Sequence, residues 1–302
     1  MKIIINLVII FTIIIVPTSG SIAPEFWNAT YSAGNFTEDS PYNASLFSAF
    51  SDLVSMAASK TFANVTVGLS ESSRVYALFS CQHDLPLHVC QSCVENATSD
   101  ILGLFYPNPK EAIIIYEECM LRYANRMIFS TMELEPYDND CNIIKYYSHT
   151  TEIKTAVKQG FETLIDQATN STDYFAVGGV KNVVMDYDLY FLVQCTPDIT
   201  KEECNTCLLH ALNSTVASCG SDGRLSGHTM GPSCIMRYDY NPFFYSEVIS
   251  LADMGPPTTT SPPLKYDKHD RSKDTLGLIF SIFIIIVLVI LIFAIKNRVC
   301  CR

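Results

Sequence analysis

The sequence predicts an α+β protein of two tandem disulfide-bonded domains, each with two helices packed on an antiparallel sheet, followed by one C-terminal transmembrane helix. Three observations predict it. A cysteine triplet recurs at an offset of 114 residues, as Cys81-x8-Cys90-x2-Cys93 and Cys195-x8-Cys204-x2-Cys207. Each triplet lies in a stretch that reads as helix, strand, helix, strand. Apolar runs flank the duplicated part at both ends of the chain. The 302 residues suit about two domains at roughly 100–200 residues each.

Residues 1–20 carry one basic residue, Lys2, then the apolar run Ile3–Val16 and small residues at Thr18 and Gly20. That order is a secretory signal peptide cleaved after Gly20. The first domain is expected over residues 21–132 and the second over 133–252. In the first, Leu46, Phe47, Phe50, Leu53 and Val54 place a helix over Ser45–Ser59. Its partner in the second is Thr155–Thr169, with Val157, Phe161, Leu164 and Ile165 on one face. A β-rich stretch runs into each first cysteine. Asp84 and Thr200 are expected to cap the helices that carry the C-x2-C pairs. Strands follow over Glu111–Arg122, with the run Ala112–Tyr116, and over Arg126–Ser130; the second copy has Gly231–Tyr240.

Residues 253–274 hold Pro256-Pro-Thr-Thr-Thr-Ser-Pro-Pro263 and read as an extended stalk. Thr275–Ile295 is uncharged over 21 residues and long enough to cross a ~30 Å hydrocarbon core. Basic residues flank this span on both sides, so charge does not orient it, but the signal peptide puts the N terminus outside. Residues 296–302 form a cytosolic tail, in which Cys300 and Cys301 are palmitoylation candidates or free thiols.

Charge narrows the function classes. The net charge is −11, and residues 21–274 hold 16 Lys/Arg against all 31 Asp/Glu, a net of −15. A nucleic-acid ligand, which demands a basic surface, is excluded. Ten cysteines remain once the tail pair is set aside, an even number in a secreted segment, which implies disulfides without fixing their partners. C-x2-C is also a zinc half-site, and His83 and His88 lie inside the first loop, but the second copy has no histidine there. No metal or cofactor is expected. Sequons at Asn28, Asn35, Asn43, Asn64, Asn96, Asn170 and Asn213 point to a glycosylated surface. No nucleophile elbow, P-loop, H-E-x-x-H or kinase motif occurs, so an enzyme is not expected. Glu117-Glu118 is the one acidic pair near a motif, and neighbours on a strand would face opposite ways.

The triplets, the block Cys119-Met-Leu-Arg-Tyr123 and its copy Cys234-Ile-Met-Arg-Tyr238 resemble plant ginkbilobin-homologous domains, also called salt-stress-response/antifungal domains. The resemblance covers about residues 26–245. Tandem copies occur in cysteine-rich receptor-like kinases, cysteine-rich repeat secretory proteins and plasmodesmata-located proteins. The resemblance implies three bridges per domain, first cysteine to fifth, second to third and fourth to sixth. Carried over, these are Cys81–Cys90, Cys93–Cys119, Cys141–Cys219, Cys195–Cys204 and Cys207–Cys234. The first copy lacks its first and fifth cysteines, expected near Asn28–Ser32 and Tyr106, so one whole bridge is missing.

The resemblance also implies a mannose site in the ginkbilobin manner, built from Asn, Arg and Glu. The second copy has Asn142, His228 and Asp239 at those positions, and the first has Ile113 and Ala124 at the last two. His lacks the donor fork of Arg, and the plainer reading of all three as ordinary loop residues is preferred. The expected function is recognition or adhesion by a non-enzymatic plant cell-surface protein, in stress and defence signalling or plasmodesmal regulation. The alternatives are a kinase-less decoy or co-receptor and a mannose-binding antifungal lectin. Expected partners are other ginkbilobin-homologous receptor-like proteins or cell-wall carbohydrate, at a plasma membrane or at plasmodesmata.

Overall fold

The computed structural model describes residues 24–245 except 33, 106–107, 142–146 and 185–186. The expected signal peptide, stalk, span, Asn142, Cys300 and Cys301 lie outside the described residues. Among those described, no helix is long and apolar enough to cross a membrane.

The first domain runs β1 (Phe26–Tyr31), α1 (Pro41–Ala57), β2 (Phe62–Val67), β3 (Val75–Cys81), α2 (Leu87–Leu104), β4 (Ala112–Tyr116) and β5 (Cys119–Ala124). The second repeats that order as β6 (Asp138–Cys141), α3 (Thr150–Asn170), β7 (Phe175–Val184), β8 (Tyr187–Cys195), α4 (Lys201–Thr215), β9 (Gly227–Met230) and β10 (Cys234–Asp239). The strands form two antiparallel five-stranded sheets, ordered β1-β4-β5-β3-β2 and β6-β9-β10-β8-β7. Two helices cover one face of each.

Local chemistry sets the helix ends. Ser40 accepts from the Asn43 amide, and Pro41 opens α1 with its φ already helical. Thr200 and Glu203 form a reciprocal capping box on α4. Asp84 is not a cap: α2 starts after Pro86 with no side-chain cap, and Asp84 instead accepts from Gln82 Nε2 and the Tyr245 amide.

Three strand expectations are corrected. The stretch 111–122 is a hairpin, because Glu117 and Glu118 form its two-residue turn, and Ile115 pairs with Met120 across it. Residues 126–130 are a loop in which Ser130 takes a φ of 50° and its amide donates to Asp198. In the second copy, the expected strand begins only at Cys234, because residues 231–233 turn the chain between β9 and β10.

Period-two alternation divides each sheet between two cores. Ala112, Ile114 and Tyr116 face the helices with Phe79 and Leu121, in one cluster with Leu53 of α1. Ile113 and Ile115 face the other way and join Leu78, Met120, Ile128 and, from the second domain, Met230 and Ile235. The two sheets therefore pack against each other across the domain boundary. All five residues of β4 are buried, which marks a strand covered on both faces. Gln194 bridges the same boundary, accepting from the His83 amide and donating to the Cys81 carbonyl at 2.8 Å.

The structure pairs Cys81–Cys90, Cys93–Cys119, Cys141–Cys219, Cys195–Cys204 and Cys207–Cys234. The two domains differ at the bridge that only the second has. Cys141 pairs in register with Gly227, and its first-domain counterpart by register is Tyr31, paired with Ala112. Tyr31 packs on Phe105 at 4.7 Å between ring centroids, so an aromatic pair stands where the second domain has Cys141–Cys219. Gly227 is dictated by that bridge: a Cβ there would lie 2.5 Å from Cys219 Sγ. Ala112 is tolerated because no sulfur sits opposite it.

The triple variant Tyr31→Cys/Phe105→Cys/Ala112→Gly should close the missing bridge and stabilise the first domain by about 2–4 kcal/mol. Thermal unfolding with and without reductant measures this. Retaining Ala112 should abolish most of the gain.

Candidate ligand cleft at the domain junction

At one end of the boundary between the sheets lies an open cleft of about 240 Å³. It takes Glu25 and Trp27 from the start of the first domain and Glu117 from the β4–β5 turn. The second domain supplies Asp140, Ser226, His228, Arg237 and Asp239. Strand pairing explains the grouping, since His228 on β9 is directly opposite Arg237 on β10, with Asp239 two residues further along the same face.

The polar groups are interlocked. Trp27 stacks on His228 at 4.0 Å and 8° between planes. His228 Nε2 lies 3.0 Å from Asp138 Oδ2, and Asn28 Nδ2 donates to Asp138 Oδ1 at 2.9 Å. The Arg237 guanidinium lies over Phe243 at 4.0 Å and 5.1 Å from Trp27, and it donates to Glu117 Oε1 at 2.6 Å. Its other terminal nitrogen is 4.0 Å from Asp239 Oδ2. The matching arginine of the first domain, Arg122, is buried and held by Glu111 and Glu133.

The carboxyls respond to these settings. Hydrogen bonding to His228 holds Asp138 below the usual carboxylate range, against the effect of burial. Burial, reinforced by Glu117, pushes Asp239 above that range despite the amide of Asn241 and the charge of Arg237. Burial and the neighbouring Glu117 also raise Glu118.

Of the sugar residues carried over from the resemblance, His228 and Asp239 line this one cleft, while Asn142 lies outside the described residues. The first-domain counterparts Ile113 and Ala124 are buried in the interdomain cluster. Glu117 and Glu118 are turn residues, not strand neighbours, and only Glu117 reaches Arg237. Sequence reasoning passed over Trp27 and Glu25. The signal available was the chain's only tryptophan lying just ahead of the first repeat.

Asn64, Asn96, Asn170 and Asn213 are exposed, as is Asn35, which bridges to Pro109. Asn28 and Asn43 are half-buried, with their amides donating to Asp138 and to the Glu38 carbonyl.

The salt stress response/antifungal family matches residues 28–126 and 140–241. The chain belongs to this family. Cysteine-rich repeat secretory protein 1 of Arabidopsis thaliana is 30% identical over 239 residues, 77% of this chain and 68% of that protein. Cysteine-rich receptor-like protein kinase 25 of Arabidopsis thaliana is 31% identical over 269 residues, 86% of this chain but 39% of the kinase. The kinase relatives are matched over their ectodomains alone. The fold is that of the tandem DUF26 ectodomain of the Arabidopsis thaliana cysteine-rich receptor-like protein PDLP5, with a TM-score of 0.59 and 22% identity over 71% of this chain and 98% of that one. The corresponding PDLP8 ectodomain gives a TM-score of 0.60 at 18% identity, over 72% of this chain and 98% of that one.

An acid with a raised pKa in the folded state contributes stability below its ordinary pKa and loses it as pH rises through the raised value. Asp239→Asn should therefore raise the melting temperature at pH 7, and the gain should vanish as pH falls below the ordinary aspartate range. Thermal scans across pH 3–7 measure it.

Proposed function

We propose that this member of the salt stress response/antifungal family is a non-enzymatic recognition protein of the plant cell surface, and that the junction cleft is its ligand site. The observation that carries the reading is that both domains build the cleft. Neither could form it alone, so the tandem arrangement itself has a use. An aromatic face at Trp27 and carboxylates at Glu25, Glu117, Asp140 and Asp239 suit a ligand rich in hydroxyl donors. Cell-wall carbohydrate has that chemistry: a sugar would lie against the indole while its hydroxyls donate to the carboxylates.

In this reading the N-terminal segment directs secretion and Thr275–Ile295 anchors the protein once across the membrane, with the ectodomain outside. A bound signal passes to lateral partners in the membrane. Other proteins of the same family are the proposed partners, at the plasma membrane or at plasmodesmata. The acidic ectodomain disfavours association through charged surfaces, which limits such contacts to neutral patches.

Calorimetric titration of the glycosylated ectodomain with wall oligosaccharides tests the reading. Wild type should bind, and Asp239→Asn should weaken binding about tenfold, equivalent to roughly 1.4 kcal/mol, with its circular dichroism unchanged. Equal binding by wild type, Asp239→Asn and Trp27→Ala would remove the cleft from the function.

A further inference from the structure

The first domain leaves an apolar groove open on its helix side. Phe26 and Leu104, each half exposed, line it with Ser99, Asp100 and Gly103. Its volume is about 430 Å³. Phe26 lies on β1, which is an edge strand of its sheet among the described residues.

The second domain shows what belongs above such a ring. Cys93 and Cys207 are equivalent, so Asn96 on α2 corresponds to His210 on α4. By strand register, Phe26, placed before a bulge in β1, corresponds to Tyr137, just ahead of β6. In the second domain His210 packs on Tyr137, edge to face, at 5.7 Å. In the first domain the equivalent helix position is Asn96, an exposed asparagine in the sequon Asn96-Ala-Thr98.

Helical geometry puts Asn96 on the groove's face. Ser99, Asp100, Gly103 and Leu104 follow it at i+3, i+4, i+7 and i+8, one stripe of a helix. Gly103 lies about 10 Å along the axis from Asn96, at 1.5 Å per residue, which is the length of a glycan's first two sugars. The Asn96 amide donates to the Ser92 carbonyl at 2.7 Å. A glycosylated asparagine keeps one N–H, so that bond can stay while the sugar leaves Nδ2 in the other direction, away from Ser92.

We infer that the N-glycan on Asn96 seats in this groove and covers Phe26, taking the place that His210 holds over Tyr137 in the second domain. The apolar faces of the core sugars lie against the Phe26 ring and Leu104, and their hydroxyls reach Ser99 and Asp100. The glycan is thus a fixed part of the first domain's surface, and it shields an open sheet edge against pairing with other chains. The inference rests on the secretory reading of the chain.

The test uses the full chain expressed in plant cells. Glycopeptide mapping should find Asn96 occupied. A peptide N-glycosidase acting on the folded protein should release the Asn96 glycan several-fold more slowly than the Asn213 glycan. Asn96→Gln should increase binding of an apolar dye, and Phe26→Ser in the same background should abolish the increase. Release from the folded protein requires no variant, so it stands if Asn96→Gln does not fold. Release from Asn96 as fast as from Asn213 would overturn the inference. An empty Asn96 beside occupied Asn64 and Asn213 would overturn it while leaving the secretory reading intact, whereas no occupied sequon would overturn both. A wild-type dimer that Phe26→Ser dissociates would show that a second copy, not the sugar, fills the groove.

Discussion

The back-to-back packing of the two sheets is the constraint on which the rest of this molecule depends. Ile113, Ile115, Leu78 and Met120 on one sheet meet Met230 and Ile235 on the other. Removing these side chains from water stabilises the junction through apolar area, at roughly 25 cal/mol per Å². Such contact has no direction of its own, so polar groups fix the register. Gln194 ties His83 and Cys81 to the second sheet, and the Asn28–Asp138–His228 chain ties β1 to β6 and β9. The segment after β10 adds a clasp: Phe244 is buried on Val177 and Leu192, and the Tyr245 amide reaches Asp84 in the first domain.

This packing explains how two copies of one fold came to differ. On the first sheet, the positions matching His228 and Asp239 are Ile113 and Ala124, both buried at the junction. On the second, the same positions lie at the rim and carry polar groups. The duplicated arginines diverge for the same reason. Arg122 is enclosed by Glu111 and Glu133, while Arg237 lies between two aromatic rings with Glu117 as its ion partner. A guanidinium withdrawn from water without a carboxylate would be costly, so each arginine keeps acidic partners: Arg122 has Glu111 and Glu133, and Arg237 has Glu117 and Asp239.

The edges diverge in a complementary way. The second domain closes its β6 edge covalently through Cys141–Cys219, and Gly227 gives up its side chain to make room. The first closes the same edge with Tyr31 on Phe105 and keeps Ala112. Dispersion between two rings holds less firmly than a covalent link, and it leaves apolar surface at the edge, where Phe26 and Leu104 are half exposed.

Much of the fold was legible in the sequence because its signals are local. Cysteine spacing revealed the duplication, 3.6-residue periodicity marked the helices, and Thr200 with Glu203 marked a helix start. Asp84 misled because a short acidic residue ahead of a helix suits a cap and a tertiary acceptor equally well. The run Ala112–Tyr116 signalled a strand, but not that both of its faces would be covered. The cleft was half legible: His228 and Asp239 share a strand-pair geometry that sequence alignment can track. Trp27, Glu25 and Glu117 enter only because the sheets meet face to face. The sequence by itself determined the duplication, the elements of each repeat and the chemistry each carries. The tertiary structure alone decided which face of each sheet is sealed and which residues of the two copies meet, because those contacts join positions some 100 residues apart, between which no periodicity runs.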